Sequence, residues 1–289
     1  MTRLTLGTAQ FGMNYGVANQ TGKVPASEVK VMLKMAELHG IDTLDTAIAY
    51  GESEQRLGEF GTQSFKLVSK LPSMPNACID VDAWVQQEFQ ASLSRLNRKS
   101  IYGFLLHSSE QLLGPNGIEL YQALQSLKRR GQVQKIGVSI YSPAELDALT
   151  PKYAFDLVQA PFNLVDQRIY YTGWMNRLAD EGVEIHTRSA FLQGLLLMAN
   201  THLPKKFSPW SGLWRTWQRW LADRGCSAVE ACLAFPLSFP AIARVVVGAD
   251  SAKQLEQILT ASKVLNPAEY PSIRCDDENL IDPTRWATL

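Results

Sequence analysis

A single (β/α)8 barrel spanning residues 1–289 is the fold this sequence predicts, and three observations predict it. Eight short apolar or β-branched runs alternate with longer amphipathic stretches, a pattern that implies a parallel sheet with helices between its strands. Eight is also the strand number that closes a barrel whose interior is just filled by side chains. The rival, an open doubly wound sheet, calls for a glycine-rich fingerprint after the first strand. Here Gly7-Thr-Ala-Gln-Phe-Gly12 is neither G-x-G-x-x-G nor a P-loop.

In chain order, strands are expected near residues 3–7, 42–45, 65–70, 101–107, 135–139, 156–160, 184–188 and 244–247. The helices between them are read from apolar recurrence at three and four residues. Val29, Met32, Leu33 and Ala36 mark the first, closed by His39-Gly40. Trp84, Phe89, Leu93 and Leu96 mark the next, and Leu120, Leu124 and Leu127 another, ending at Arg129-Arg130-Gly131. Tyr170, Trp174 and Leu178 read as one helix, and Ser251 as the cap of a last helix through Leu255 and Leu259. The longest gap between strands, from Phe191 to Ala243, has room for a loop over the pocket and two helices. No linker or low-complexity segment divides the chain, so one domain is expected.

Composition narrows the function classes. Acidic and basic side chains balance at 28 each, so there is no long-range attraction for nucleic acid or an anionic membrane. Cys78, Cys226, Cys232 and Cys275 are scattered, with no C-x-x-C pair, which fits a reducing compartment. No His cluster has metal-ligand spacing, and no metal is expected. The apolar stretch at residues 231–249 is interrupted by Pro236, Pro240 and Arg244, so it is not read as a membrane span. The start, Met1-Thr-Arg-Leu, lacks the pattern of a signal peptide. A cytoplasmic location is the expectation.

Four polar residues fall at or just beyond the C-terminal ends of consecutive strands. Asp45 ends the second, Tyr50 follows in its loop, Lys70 ends the third and His107 ends the fourth. In a barrel these ends converge on the face where active sites are built. Taken singly, Asp45 reads as a turn residue, Tyr50 as a packing aromatic, Lys70 as a surface lysine and His107 as a core histidine. Their joint placement points to proton donation. Hydride addition to a carbonyl leaves a developing alkoxide that needs a proton. A phenol titrating near ~10 is a poor donor unless a neighbouring ammonium lowers that value. Lys70 is expected to do so, held by Asp45, while neutral His107 orients the carbonyl oxygen.

On these residues the sequence resembles the aldo-keto reductase superfamily. The resemblance rests on Asp45-Thr-Ala-Ile-Ala-Tyr50-Gly-Glu-Ser-Glu54, Lys70-Leu-Pro, Leu106-His107, Ile136-Gly-Val-Ser139, Gln159-Ala-Pro-Phe-Asn163, Gly194-Leu-Leu and Val247-Gly-Ala-Asp-Ser-Ala-Lys-Gln-Leu255. These motifs run in order through nearly the whole chain. In detail it is most similar to small bacterial members associated with sugar or polysaccharide genes. The resemblance implies a catalytic tetrad of Tyr50, Lys70, Asp45 and His107 and an NADPH or NADH cofactor. It implies that Ser139 and Gln159 hold the nicotinamide carboxamide and that Asp45 also reaches the nicotinamide ribose. The segment from Gly248 through Asp250 and Ser251 to Gln254 would take the adenosine phosphate end. The substrate would be a small aldehyde, ketone or sugar.

Four departures from the family pattern are visible. The first strand begins almost at the N-terminus, without the usual plugging hairpin. Ile140 stands where many members have Asn. Arg188 occupies the slot of the aromatic that stacks on the nicotinamide, so it is read either as a cofactor- or anion-binding residue or as one half of a structural ion pair. Asp250 lies where basic residues commonly meet the 2′-phosphate of NADPH. Trp210, Trp214, Trp217 and Trp220 share roughly one helix face and are expected in the core, the alternative being an aromatic wall for substrate. His39, His186 and His202 are expected to be structural. The rival function is a cofactor-binding sensor on the same fold, against which the intact tetrad argues.

Overall fold

The computed structural model of the chain describes residues 2–19, 21–263 and 269–288; Met1, where the leader reading begins, lies outside them. Eight strands, β1 (Leu4–Gly7), β2 (Thr43–Asp45), β3 (Lys66–Leu71), β4 (Ile101–Leu106), β5 (Val133–Ser139), β6 (Leu157–Pro161), β7 (Glu184–Arg188) and β8 (Ile242–Val247), pair in sequence order as a closed parallel barrel. Closure is made by β1 against β8, with Leu4 opposite Val245 and Leu6 opposite Val247. The helices are α1 (Ala9–Gly12), α2 (Ala26–Leu38), α3 (Ser53–Phe60), α4 (Val81–Leu96), α5 (Gly117–Arg129), α6 (Pro143–Leu149), α7 (Arg168–Tyr171), α8 (Trp174–Asp180), α9 (Ser211–Arg224), α10 (Ala228–Leu237), α11 (Ala252–Ala261) and α12 (Glu278–Ile281).

Local chemistry sets these boundaries. Asp80 caps α4 by accepting from the Ala83 amide at 2.9 Å, and Asn97 ends it in the left-handed region. A capping box of Ser227 and Glu230 starts α10, and Ser251 caps α11 as expected. The one helix read across Tyr170, Trp174 and Leu178 is two. Gly173, at φ +81, separates α7 from α8, a conformation glycine adopts without a steric penalty. The long gap after β7 holds three 3-10 turns followed by α9 and α10.

The core has two parts. Side chains such as Leu6, Leu44, Phe104, Ile136 and Val158 are buried in the main shell with the helices. A separate small cluster, Val68, Leu105 and Leu157, fills the barrel interior, with Tyr102 packed against it. This division follows from strand alternation, which sends successive residues to opposite faces of the sheet. Trp214 and Trp217 are buried, their indole N–H groups donating to the carbonyls of Phe207 and Leu196. Trp220 stacks on Trp217 at 5.7 Å. The tryptophan face therefore packs in the core rather than walling the pocket. No helix among the described residues is long and apolar enough to cross a membrane.

The N-terminal mouth of the barrel is polar. Glu184 accepts from Tyr102 at 2.6 Å and from His186 at 2.7 Å, and pairs with Lys135 at 2.7 Å. Beside it Arg244 and Lys66 both pair with Asp42, and Lys66 lies over the Tyr102 ring. Burial alone would raise the Glu184 carboxyl, but the hydrogen bonds from His186, Lys135 and Tyr102 outweigh it and hold the group well below its ordinary value of 4.5. A depressed carboxylate stabilises the fold above its unfolded-state pKa, and that contribution is lost as pH falls through the folded one. We expect the parent to lose stability progressively below about pH 4.5. Glu184→Gln should be less stable near neutrality by on the order of 3 kcal/mol, with a shallower decline in acid. Melting temperatures of both proteins across the acid range check this. Parallel curves would show that Glu184 does not carry the dependence.

Candidate active site

The strand ends bring the predicted residues together. Asp45 closes β2, and β3, its neighbour, carries Lys70. Lys70 donates to Asp45 Oδ1 at 2.6 Å and to the Thr46 carbonyl at 2.9 Å. Gln159, in the middle of β6, donates its amide to the other Asp45 oxygen, also at 2.6 Å. The Lys70–Asp45 pair is nearly excluded from solvent, at 1% and 5% side-chain exposure. Lys70 Nζ lies 5.1 Å from the centre of the Tyr50 ring, and the His107 ring meets Tyr50 edge-on at 5.8 Å.

The loop bearing Tyr50 is fixed by contacts to the segment after β1. Thr8 donates from both its amide and its hydroxyl to the Asp45 carbonyl at 2.9 Å. Ser53 bonds to Thr8 and Thr46. Gly12 passes so close that an added Cβ would sit 1.7 Å from the Tyr50 carbonyl oxygen, so any side chain there would push the proton donor's loop away. Glu54, in the same quoted motif, is buried and accepts from Ser69, Ser92 and Arg95, tying α3 to β3 and α4. Thr8 and Ser53 are positioning residues that the sequence reading passed over. Ser53 stands inside the motif carrying the resemblance, and that was the available signal.

Electrostatics differ from expectation at one point. Burial pushes the Tyr50 phenol well above its ordinary value, Asp45 adds to the rise and Arg188 opposes it. Lys70, expected to lower the phenol, is paired with Asp45 as was also expected, and burial with Asp45 leaves the phenol raised rather than lowered. Burial, then Lys70 and Arg188, lower His107 to about 4, with Asp45 opposing. At neutral pH the phenol is thus protonated and the imidazole neutral, a proton donor beside a neutral hydrogen-bonding ring.

These residues border a cavity of about 370 Å³ at the C-terminal ends of the strands. Asp45, Tyr50, Gln159, Arg188, Gly248, Asp250 and Gln254 line it. Lys70 and Ser139 are buried behind its wall, and Ser139 is paired in register with Gln159. His107 contacts Tyr50 but is not part of the lining, and Ser251 is the cap of α11. Ile140 is buried, and its carbonyl accepts from Arg188. Arg188 is not half of an ion pair with any described carboxylate; its guanidinium lies over the Tyr141 ring at 4.4 Å.

Two loops complete the cavity, one after β1 that the sequence left unmarked and one after β7, where a loop over the pocket was expected. Tyr15, Gly16, Ala18 and Asn19 come from the segment after β1. Asn19 donates to Asp250 Oδ1 at 3.1 Å, joining that segment to the loop after β8. After β7, Ser189, Leu192 and Gln193 have φ of +63, +46 and +51, conformations that non-glycine residues hold only when their surroundings impose them. Such backbone follows from packing, and no residue pattern announces it.

Gly7, Gly16, Gly194 and Gly248 keep part of the cavity wall free of side chains. The N-terminal region of the ten-residue α11, where backbone N–H groups favour an anion, borders it through Asp250 and Gln254.

Comparison with known proteins agrees with this architecture. Over 92% of the chain the fold matches 88% of the aldo-keto reductase AKR11C1 of Bacillus halodurans in its holo form, with a TM-score of 0.73 at 19% identity. PA4992 of Pseudomonas aeruginosa matches with a TM-score of 0.67 at 23% identity, covering 90% of this chain and 89% of that one. The curated relative YqkF, an uncharacterized oxidoreductase of Bacillus subtilis (strain 168), is 24% identical over 191 residues, which span 62% of this chain and 60% of that protein's own length. The sequence profile of the Aldo/keto reductase family matches residues 3–275, from the residue before β1 to well beyond α11 and through every strand end that forms the site, and the chain belongs to that family.

Proposed function

We propose that this protein is an NAD(P)H-dependent oxidoreductase that interconverts a carbonyl and an alcohol, with Tyr50 as the proton donor. The observation that carries the reading is the placement of the half-buried Tyr50 phenol in the cavity lining, beside the Lys70–Asp45 pair and the His107 ring. The nicotinamide, when bound, supplies the hydride. Tyr50 holds the proton that the substrate oxygen takes. His107 orients that oxygen, and Lys70 stabilises the negative charge left on the phenol. Ser139 and the free amide oxygen of Gln159 are assigned to the carboxamide. Residues of the loops after β7 and β1 line the cavity. Small aldehydes, ketones and sugars are the substrate class. A screen of aldehydes, aldoses and nucleotide sugars with both reduced cofactors, followed at the nicotinamide absorbance, tests the reading. Absence of turnover with every reactive aldehyde would overturn it.

The same proposal includes the cofactor end. Asp250 lines the cavity, and burial raises its carboxyl, with the Gln254 hydrogen bond opposing. One of its oxygens accepts from Asn19; the other is assigned to a ribose 2′-hydroxyl, as acidic residues are in other NAD sites. A carboxylate there repels a 2′-phosphate, and Lys253 is exposed and outside the lining. NADH is therefore expected to serve at least comparably to NADPH. Asp250→Arg should shift the ratio of kcat/KM toward NADPH by about tenfold or more, the effect of one new charge-assisted contact of ~1.4 kcal/mol. A parent that prefers NADPH by orders of magnitude, with no shift in the variant, would place Asp250 away from the ribose.

A further inference from the structure

Charge is unevenly compensated around the cavity. Its charged lining residues are Asp45, Arg188 and Asp250. Asp45 has both oxygens engaged, by Lys70 and by Gln159. Asp250 lies on the β8 loop and accepts from Asn19. Arg188, at the end of β7, has no carboxylate within ion-pair distance among the described residues. It donates to the Ile140 carbonyl at 3.0 Å and to Ser189 Oγ at 3.3 Å, with its plane against Tyr141. A guanidinium has five N–H donors, so these contacts hold its orientation and leave further donors free. A half-buried cation with a fixed fork and no counter-ion is built to receive a planar or tetrahedral anion in two-point contact.

We infer that Arg188 is the docking point for an anionic group of the substrate, so that the preferred substrates are carbonyl compounds bearing a carboxylate or a phosphate. The inference deepens the proposed reductase reading and rests on it for the carbonyl. The neighbourhood suits such a ligand. Tyr50 and Tyr15 line the same cavity as Arg188, and Phe191 and Leu197 supply apolar wall for the carbon skeleton between the two polar ends. The field of Arg188 reaches the reacting group, opposing the effect of burial at Tyr50 and adding to it at His107.

The test uses the full chain with saturating oxidised cofactor. Binding of benzoate, phenyl phosphate and the neutral isostere benzamide is measured by titration calorimetry in the parent, Arg188→Leu and Arg188→Lys. The parent should bind one of the anions at least tenfold more tightly than benzamide, and the tighter of the two identifies the anion class. That ratio should collapse toward unity in Arg188→Leu and recover in part in Arg188→Lys, whose ammonium restores charge without the fork. In turnover, the kcat/KM ratio of 4-carboxybenzaldehyde to benzaldehyde should fall in parallel. Cofactor affinity is followed separately by protein fluorescence. A parent without anion preference, or a preference that survives in Arg188→Leu, overturns the inference. So does a variant whose main defect is loss of cofactor affinity, since Arg188 would then serve the cofactor's own phosphates. Arg188-dependent anion binding in a protein that reduces no aldehyde would overturn the reductase reading while leaving the anion site standing.

Discussion

Replacing Tyr50 with phenylalanine is expected to lower kcat for aldehyde reduction by about 10²–10⁴-fold, the usual worth of general acid catalysis, while the fold and the affinity for cofactor remain close to the parent's. The ring is retained, so the edge contact with His107 and the packing over Lys70 persist. What disappears is the proton. Because burial holds the phenol protonated, the hydroxyl is needed only as charge develops on the substrate oxygen, and its loss falls on the chemical step. Circular dichroism and cofactor titration establish the intact protein, and single-turnover oxidation of bound reduced cofactor by a reactive aldehyde reads the chemistry. A variant with near-normal single-turnover rates would remove Tyr50 from the proton path.

The second large effect is expected at Lys70. Lys70→Met leaves Asp45 buried with only the Gln159 amide as a side-chain partner and removes the donor to the Thr46 carbonyl. Breaking one side of a buried pair is strongly destabilising, by about 3–5 kcal/mol, because the remaining charge has neither water nor a counter-ion. Activity should fall as well, since uncompensated Asp45 would raise the phenol further and no ammonium would remain to stabilise its anion. The double variant Asp45→Asn, Lys70→Met separates the two effects. Removing both charges should restore much of the stability and little of the activity. Denaturant midpoints and single-turnover rates for the parent, both single variants and the double complete the cycle. If Lys70→Met were as stable as the parent, the pair would not be the buried element described here.

Much of this architecture is legible in the residue pattern. Period-2 and period-3.6 patterns depend on which face of an element is buried, and burial in a barrel is regular, so all eight strands fall close to their expected positions. The helix that failed, at Tyr170 to Leu178, did so at Gly173, where one left-handed residue redirects the chain while the apolar spacing continues across it. Trp214 and Trp217 lie in the core as expected, with Trp210 and Trp220 half-buried against it, because an apolar stripe on an amphipathic helix has one common destination. The conformations of the loops after β1 and β7 were not legible. Their backbone, including Ser189, Leu192 and Gln193 at positive φ, is imposed by contacts with Asn163, Ala18 and one another rather than by local preference.

Residue order determined that Asp45, Tyr50, Lys70 and His107 stand at successive strand ends, since a parallel barrel places every C-terminal strand end on one face whatever the details of packing. Which charges meet on that face is a different matter. Lys70 comes within 2.6 Å of Asp45 and Gln159 within 2.6 Å of the same carboxylate because β2, β3 and β6 face one interior. Arg188 on β7 finds Ile140 and Tyr141 beyond β5 but no carboxylate among the described residues. These pairings join residues far apart in the chain, and solvent exclusion by the closed barrel determines how strongly each charge is felt. Neither distance across the barrel nor loss of water is encoded in any local stretch, so it was the tertiary structure that gave Asp45 its second partner in Gln159 and left Arg188 without a carboxylate partner among the described residues.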